Sequence, residues 1–183
     1  GAKVVWINNE EDNNKVMLRV IQAYFGCSLA QLLSNVKKYR NEFLEASDGK
    51  FIFPKLEAGF GKKEVEKIID IYKPDITVYD QLDKINGFSA DREDLVLGKK
   101  YQWARELAKD NHAAIGVSQA DGTAEGVRYL TMEHTANAKT AKQAEADWIL
   151  GIGATHAEGF EYIRHLHASK NKLTGDEDSD NSL

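Results

Sequence analysis

The sequence predicts an α/β fold: a mostly parallel sheet covered by helices on both faces. Three observations carry that expectation. Short β-branched and aromatic runs alternate with amphipathic helical stretches. Several of those runs are apolar on consecutive positions, as strands buried on both faces require. The strands at 3–7, 75–80 and 113–119 are each followed or closed by a polar side chain, at Glu10, Asp80 and Gln119 respectively. In an open α/β sheet ligands sit beyond the carboxyl ends of the strands, so this shared placement marks one rim of the sheet.

Taken in order, Lys3 to Ile7 reads as a buried strand, and Asn8-Asn9-Glu10-Glu11-Asp12 follows at its carboxyl end. Asn13 or Asn14 is expected to cap a helix with Val16, Val20, Ile21 and Tyr24 on one face, and Gly26 to end it. A second helix is expected from Ser28 to about Ala46. The Asp48-Gly49 turn leads to a strand at 50–53, closed by Pro54. Glu64 to Tyr72 reads as an amphipathic helix. Pro74 ends that pattern, and Ile76-Thr77-Val78-Tyr79 forms a strand delivering Asp80.

Asp91 or Asp94 is expected to open a helix running to about Asp110, followed by a buried strand from Ala113 to Gln119. Ala120 to Gly126 is small, polar and glycine-containing, which suits a mobile loop. A short helix over about Ala138 to Ala146, a strand at 147–153 and a strand at 160–168 complete the ordered part. The domain expected is 1–175, with 176–183 an acidic disordered tail.

Composition narrows the function. A net charge of −5 argues against a protein that coats nucleic acid with a broad basic surface. A single cysteine, Cys27, rules out an intrachain disulfide framework and points to a reducing compartment. No window approaches the roughly 20 apolar residues of a membrane span, and no signal-peptide pattern opens the chain, so a cytoplasmic protein without membrane contact is expected. The start at Gly1-Ala2-Lys3, with no initiator Met and a strand almost at once, suggests a tag scar or a fragment.

Asp80, closing its strand, occupies the position of a Walker B carboxylate, which holds Mg²⁺ beside a nucleoside triphosphate; an aspartate closing a parallel strand for structural reasons is the alternative. Gly59-Phe60-Gly61-Lys62-Lys63 is not a phosphate loop. Such a loop needs Gly, four residues, then Gly-Lys-Ser/Thr, and Leu56 stands where the first Gly belongs. The segment reads as a turn into the next helix, and no other stretch meets the pattern.

The ordered set Val-Trp-Ile-Asn-Asn-Glu-Glu at 5–11, Asp-Ile-Thr-Val-Tyr-Asp at 75–80, Ile-Gly-Val-Ser-Gln at 115–119, Ala-Glu-Ala-Asp-Trp-Ile-Leu-Gly-Ile-Gly at 144–153 and Ser-Lys-Asn-Lys-Leu-Thr-Gly at 169–175 resembles the RecA-type ATPase domain of ring-shaped replicative helicases. These are the DnaB-like proteins and phage helicases, and the similarity runs from Gly1 to about Asp176. The resemblance implies a RecA-like P-loop NTPase core that lacks its phosphate-loop strand, with Mg²⁺ and ATP or another nucleoside triphosphate as cofactors. It also implies single-stranded DNA as partner and a homo-oligomeric, hexameric ring.

Residue by residue, the resemblance implies that Glu10 polarises the attacking water, with Glu11 the near alternative beside the nucleotide; Glu10 as a helix-capping carboxylate is the competing reading. Asp80 takes the Mg²⁺ role. Gln119 matches the residue that senses the γ-phosphate, and an amide closing a strand end is its plainer reading. Lys170 and Lys172 match a basic pair reaching a neighbouring subunit's γ-phosphate, or are solvated strand ends. Lys172 stands where many relatives carry Arg, so a point charge replaces a bidentate fork. Arg128 lies in the 120–131 loop expected to grip DNA, with Lys139 and Lys142 just beyond it. Asp147 is expected to be structural. The chain is thus expected to be part of a helicase and inactive alone; the alternatives are a non-catalytic RecA-like assembly module and a RecA-like recombination ATPase.

Overall fold

The computed structural model describes residues 1–109, 112–136 and 139–172, the side chain of Lys139 excepted. They fall into two compact units. One comprises Gly1–Gly87 with Leu107–Val117, the other Phe88–Glu106 with the described residues from Ser118 on. The expected acidic tail lies outside the described residues.

The first unit is the parallel sheet and its helices. In chain order it holds β1 (Val4–Asn8), α1 (Asn13–Phe25), α2 (Leu29–Ser34), α3 (Val36–Ala46), β2 (Phe51–Ile52), α4 (Lys62–Tyr72), β3 (Ile76–Asp80) and β4 (Ala113–Gly116). The sheet order is β2-β1-β3-β4, and every pairing is parallel. Val5 and Ile7 are fully buried, as are Thr77 and Tyr79 of the central β3. β1 and β3 pair without offset, from Val4 opposite Ile76 to Asn8 opposite Asp80.

Local chemistry sets the helix boundaries. Asp12, not Asn13 or Asn14, caps α1: its carboxylate accepts from the Asn14 N–H at 2.9 Å. Gly26 ends α1 at a φ of 60°, the left-handed conformation that glycine adopts without strain. The single helix expected over 28–46 is two. Asn35 leaves the helical region (φ −155°, ψ 61°), and its side chain accepts from the Lys38 N–H at 3.3 Å to start α3. A short polar side chain that competes for backbone donors breaks a helix more readily than its neighbours suggest. Ser28 and Gln31 close a reciprocal capping box on α2. The break lets Leu32 of α2 and Phe43 of α3 meet Ile21 of α1 in one buried cluster.

β4 departs from expectation. All its residues are exposed, with Ile115 at 50% and the following Val117 at 38%. It is an edge strand whose only strand partner among the described residues is β3, so its apolar side chains lack the cover a parallel strand normally receives.

In the second unit lie α5 (Glu93–Ala108, its last two residues assigned to the first unit), α6 (Lys139–Glu145), β5 (Trp148–Gly153) and β6 (His165–Asn171). Trp103 is buried on α5 against the Phe88 ring at 5.3 Å. β5 and β6 pair antiparallel. The strand expected at 160–168 starts late because turns occupy its first half, with Phe160 N–H bonded to Ala157 O and Ile163 N–H to Phe160 O. The segment at 127–130 runs so close to β5 that a Cβ on Gly153 would stand 2.0 Å from Arg128 O. Only glycine fits there. No helix among the described residues is long and apolar enough to cross a membrane.

Leu32 is fully buried in the α1–α3 cluster, and its truncation leaves a cavity between three helices. Leu32→Ala is therefore expected to lower unfolding free energy by about 3 kcal/mol, measurable by urea denaturation.

Candidate functional site

The level pairing of β1 and β3 brings their carboxyl ends to one rim. Asn8 shapes the turn that follows. Its amide donates to Glu11 O at 2.6 Å and to Asn13 Oδ1 at 3.0 Å, while its Oδ1 accepts from the Glu10 and Glu11 N–H groups at 3.2 and 3.3 Å. Asn9 then ties the two strands. Its N–H donates to Asp80 O at 2.8 Å, and its side chain makes a reciprocal pair with the Gln81 backbone at 2.7 and 3.0 Å.

Glu10 and Asp80 share this rim in the first unit. Both Glu10 oxygens are engaged: Gln81 Nε2 donates to Oε2 at 2.8 Å and Lys84 Nζ to Oε1 at 3.0 Å. Asp80 Oδ2 accepts from the Trp6 indole Nε1 at 3.3 Å. Burial pushes the Asp80 carboxyl above its ordinary range, and the charges of Glu10 and Glu11 push the same way, while the Trp6 bond and Lys84 oppose them. Glu11 faces α1, where its carboxylate pairs with Arg19 at 2.9 Å.

Mg²⁺ is a hard cation that is commonly held by one or two carboxylates, with water and substrate phosphates completing the shell. Asp80, partly buried and with one oxygen bonded to an indole, fits that donor set. No cluster of three or more His, Cys, Asp or Glu that could hold a metal occurs among the described residues. The Gly59–Lys63 turn is no phosphate cradle either. The Gly61 N–H is bonded to Glu64 Oε2 and the Lys62 N–H to Asn86 O, both at 2.9 Å.

The remaining expected residues lie in the second unit. Gln119 is exposed, and its carbonyl accepts from the Ala136 N–H at 3.1 Å. Lys170 donates to Gln143 O, and burial lowers its ammonium pKa, with the nearby Lys172 charge adding to the effect. Asp147 links Arg105 at 3.0 Å and Lys172 at 4.0 Å. Arg128 is exposed, its guanidinium 4.9 Å from the Phe160 ring centroid. Lys142 differs from the expected nucleic-acid contact: it is only 3% exposed, and its ammonium donates to Ser118 Oγ and Ala136 O, both at 2.8 Å. It braces the loop from inside. Lys139 opens α6, but its side chain lies outside the described residues.

Sequence reasoning missed Trp6, Asn9, Gln81 and Lys84 as parts of this rim. Gln81 and Lys84 closely follow Asp80, so the strand ending there was the available signal. Nothing local distinguished Trp6 from any other strand aromatic.

No family model and no curated protein matches the sequence. Its fold does match solved structures: the chain has the RecA-type α/β fold of DnaB-like ATPase domains. One match is a structure solved as an ATPase domain, with a TM-score of 0.71 at 14% identity over 94% of this chain and 68% of that one. Another is a DnaB-like replicative helicase whose structure was described with its primase interactions, with a TM-score of 0.68 at 14% identity over 94% of this chain. This chain spans 46% of that protein's length.

The Asp80 environment has a thermodynamic consequence. A carboxyl whose pKa is raised by folding holds its proton more tightly in the folded than in the unfolded state, so ionisation above that pKa costs stability. Asp80→Asn is expected to melt at a higher temperature than the parent chain at pH 7, and the gap should close as pH falls below about 3.5, where both states are protonated. Thermal melts across pH check this. Lys142→Met, by removing the ammonium that bonds two part-buried acceptors, should cost about 1–3 kcal/mol in the same assay.

Proposed function

We propose that this chain is part of the ATPase domain of a phage-like replicative helicase. The complete protein hydrolyses a nucleoside triphosphate between the subunits of a ring and moves along single-stranded DNA. The observation that carries the reading is the rim at which Glu10 and Asp80 converge, on a fold shared with solved DnaB-like ATPase domains.

Asp80 is the carboxylate for Mg²⁺, and when bound the ion neutralises charge on the phosphates. Glu10, fixed by Gln81 and Lys84, orients the attacking water; positioning matters more than basicity in a largely dissociative transfer. Glu11 stands beside the nucleotide. Gln119 senses the γ-phosphate with an amide that donates or accepts without changing charge. Lys170 and Lys172 act on the nucleotide of a neighbouring subunit, and Arg128 with Lys139 supplies cations to DNA.

The open edge of β4 supports the part-of-a-domain reading. Ala113 and Val117 donate to Asp75 O and Tyr79 O of the β3 side, so the alternate residues Ala114 and Gly116 turn their backbone groups outward, where no strand among the described residues meets them. A phosphate-loop strand supplied by polypeptide outside these 183 residues would fit that edge and bring a phosphate cradle with it. The same edge favours a second reading, a non-catalytic RecA-like assembly module that pairs there with another chain. A RecA-like recombination ATPase shares the same rim.

The isolated chain is expected to show no Mg²⁺-dependent ATP hydrolysis above background; robust turnover would overturn the proposal that it is incomplete. In a form carrying a Gly-x-x-x-x-Gly-Lys-Ser/Thr loop, Asp80→Asn should lower kcat by about a hundredfold or more. An unchanged rate there would overturn the Mg²⁺ role of Asp80, whereas the assembly module expects no turnover and little change in partner binding on the same substitution.

A further inference from the structure

Trp6 stands one pleat back from the rim. It lies opposite Val78, while Asn8 lies opposite Asp80, so the indole and the Asp80 carboxylate occupy the same face on neighbouring strands. Its Nε1–H reaches Asp80 Oδ2 at 3.3 Å. The ring is itself fixed. It stacks on Phe53 at 5.9 Å and 28°, and it packs against Phe51 at 6.0 Å; Phe51 in turn meets Phe53 at 5.4 Å.

Packing alone does not call for a nitrogen at this place. A phenyl ring would continue the aromatic layer, whereas indole adds one donor and no acceptor. That donor is directed at a carboxylate on the same face of the neighbouring strand, and a donor held between two aromatic rings restricts rotation of the carboxylate it bonds.

Resting on the reading of Asp80 as the Mg²⁺ carboxylate, we propose that Trp6 is a positioning residue that holds Oδ2 and leaves Oδ1 to the metal. Loss of a partner of this kind, one bond removed from an ion, typically costs about 10–100-fold in the ion's affinity.

The test is a Mn²⁺ titration of the ¹⁵N-labelled 183-residue chain, followed by paramagnetic broadening of the amide signals of residues 79–82. Wild type is expected to broaden there first. Trp6→Phe, which keeps a ring between Phe51 and Phe53, should raise the half-broadening concentration about tenfold. A purely packing role would lower the melting temperature and leave that concentration unmoved, and an unmoved value overturns the proposal. If wild type shows no broadening around Asp80, the rim does not hold the ion without phosphates and the proposal for Trp6 falls, whereas the Mg²⁺ reading is decided separately by Asp80→Asn turnover in the loop-bearing form. Should Trp6→Phe not fold, Asp80→Ala decides. Its Trp6 indole N–H resonance must move upfield once the acceptor is gone, and an unchanged resonance refutes the contact on which the proposal stands.

Discussion

The offset-free parallel pairing of β1 with β3 is the constraint on which the rest of the rim depends. Because Asn8 and Asp80 are level, the residues just beyond them leave the sheet at the same height. Asn9 then bonds the β3 end through both its backbone and its amide, and Gln81 returns a bond to Glu10. A slip of one residue would turn Val5 and Ile7 out of the core and carry Glu10 away from Gln81. The buried face of β1 thus fixes the chemistry of its exposed end.

That rim gathers carboxylates at some cost to the fold. Asp80 is partly buried near two other acidic groups, and only a long indole bond and Lys84 offset the unfavourable field. Glu10 has an amide and an ammonium on its two oxygens. Two carboxylates on one rim therefore carry different capacities: Asp80 has the unfavourable ionisation that a cation would relieve, and Glu10 is held in place by protein donors.

Elsewhere the chain shows how strongly cover decides the state of a strand. β3, between β1 and β4, is almost wholly buried, whereas β4, with a composition that reads as equally suited to a core, is exposed throughout. Exposed apolar edge strands are sites of pairing with further polypeptide, and this one has backbone groups directed outward. The second unit manages its short sheet differently. Its hairpin is shielded on one side by the 127–130 segment, whose close approach Gly151 and Gly153 permit.

The sequence by itself determined the α/β class, the strand ending in Asp80, the strand leading to Glu10, and the Gly26 helix stop. These depend on side-chain periodicity, β-branching and glycine's freedom at positive φ, all properties of short stretches. It also excluded the Gly59–Lys63 turn as a phosphate loop by spacing alone. Only the tertiary structure decided the rest. Whether Asn35 continues a helix or breaks it depended on whether Leu32 and Phe43 could both reach Ile21. Lys142 looked like a surface cation until Ser118 and Ala136, distant or nearby in the chain, converged on its ammonium. The burial of β4 failed because burial belongs to neighbours rather than to a strand's own residues. The bonds from Trp6 to Asp80 and from Lys84 to Glu10 each span 74 residues, and hydrogen-bond geometry at that separation exists only once the sheet has set its register.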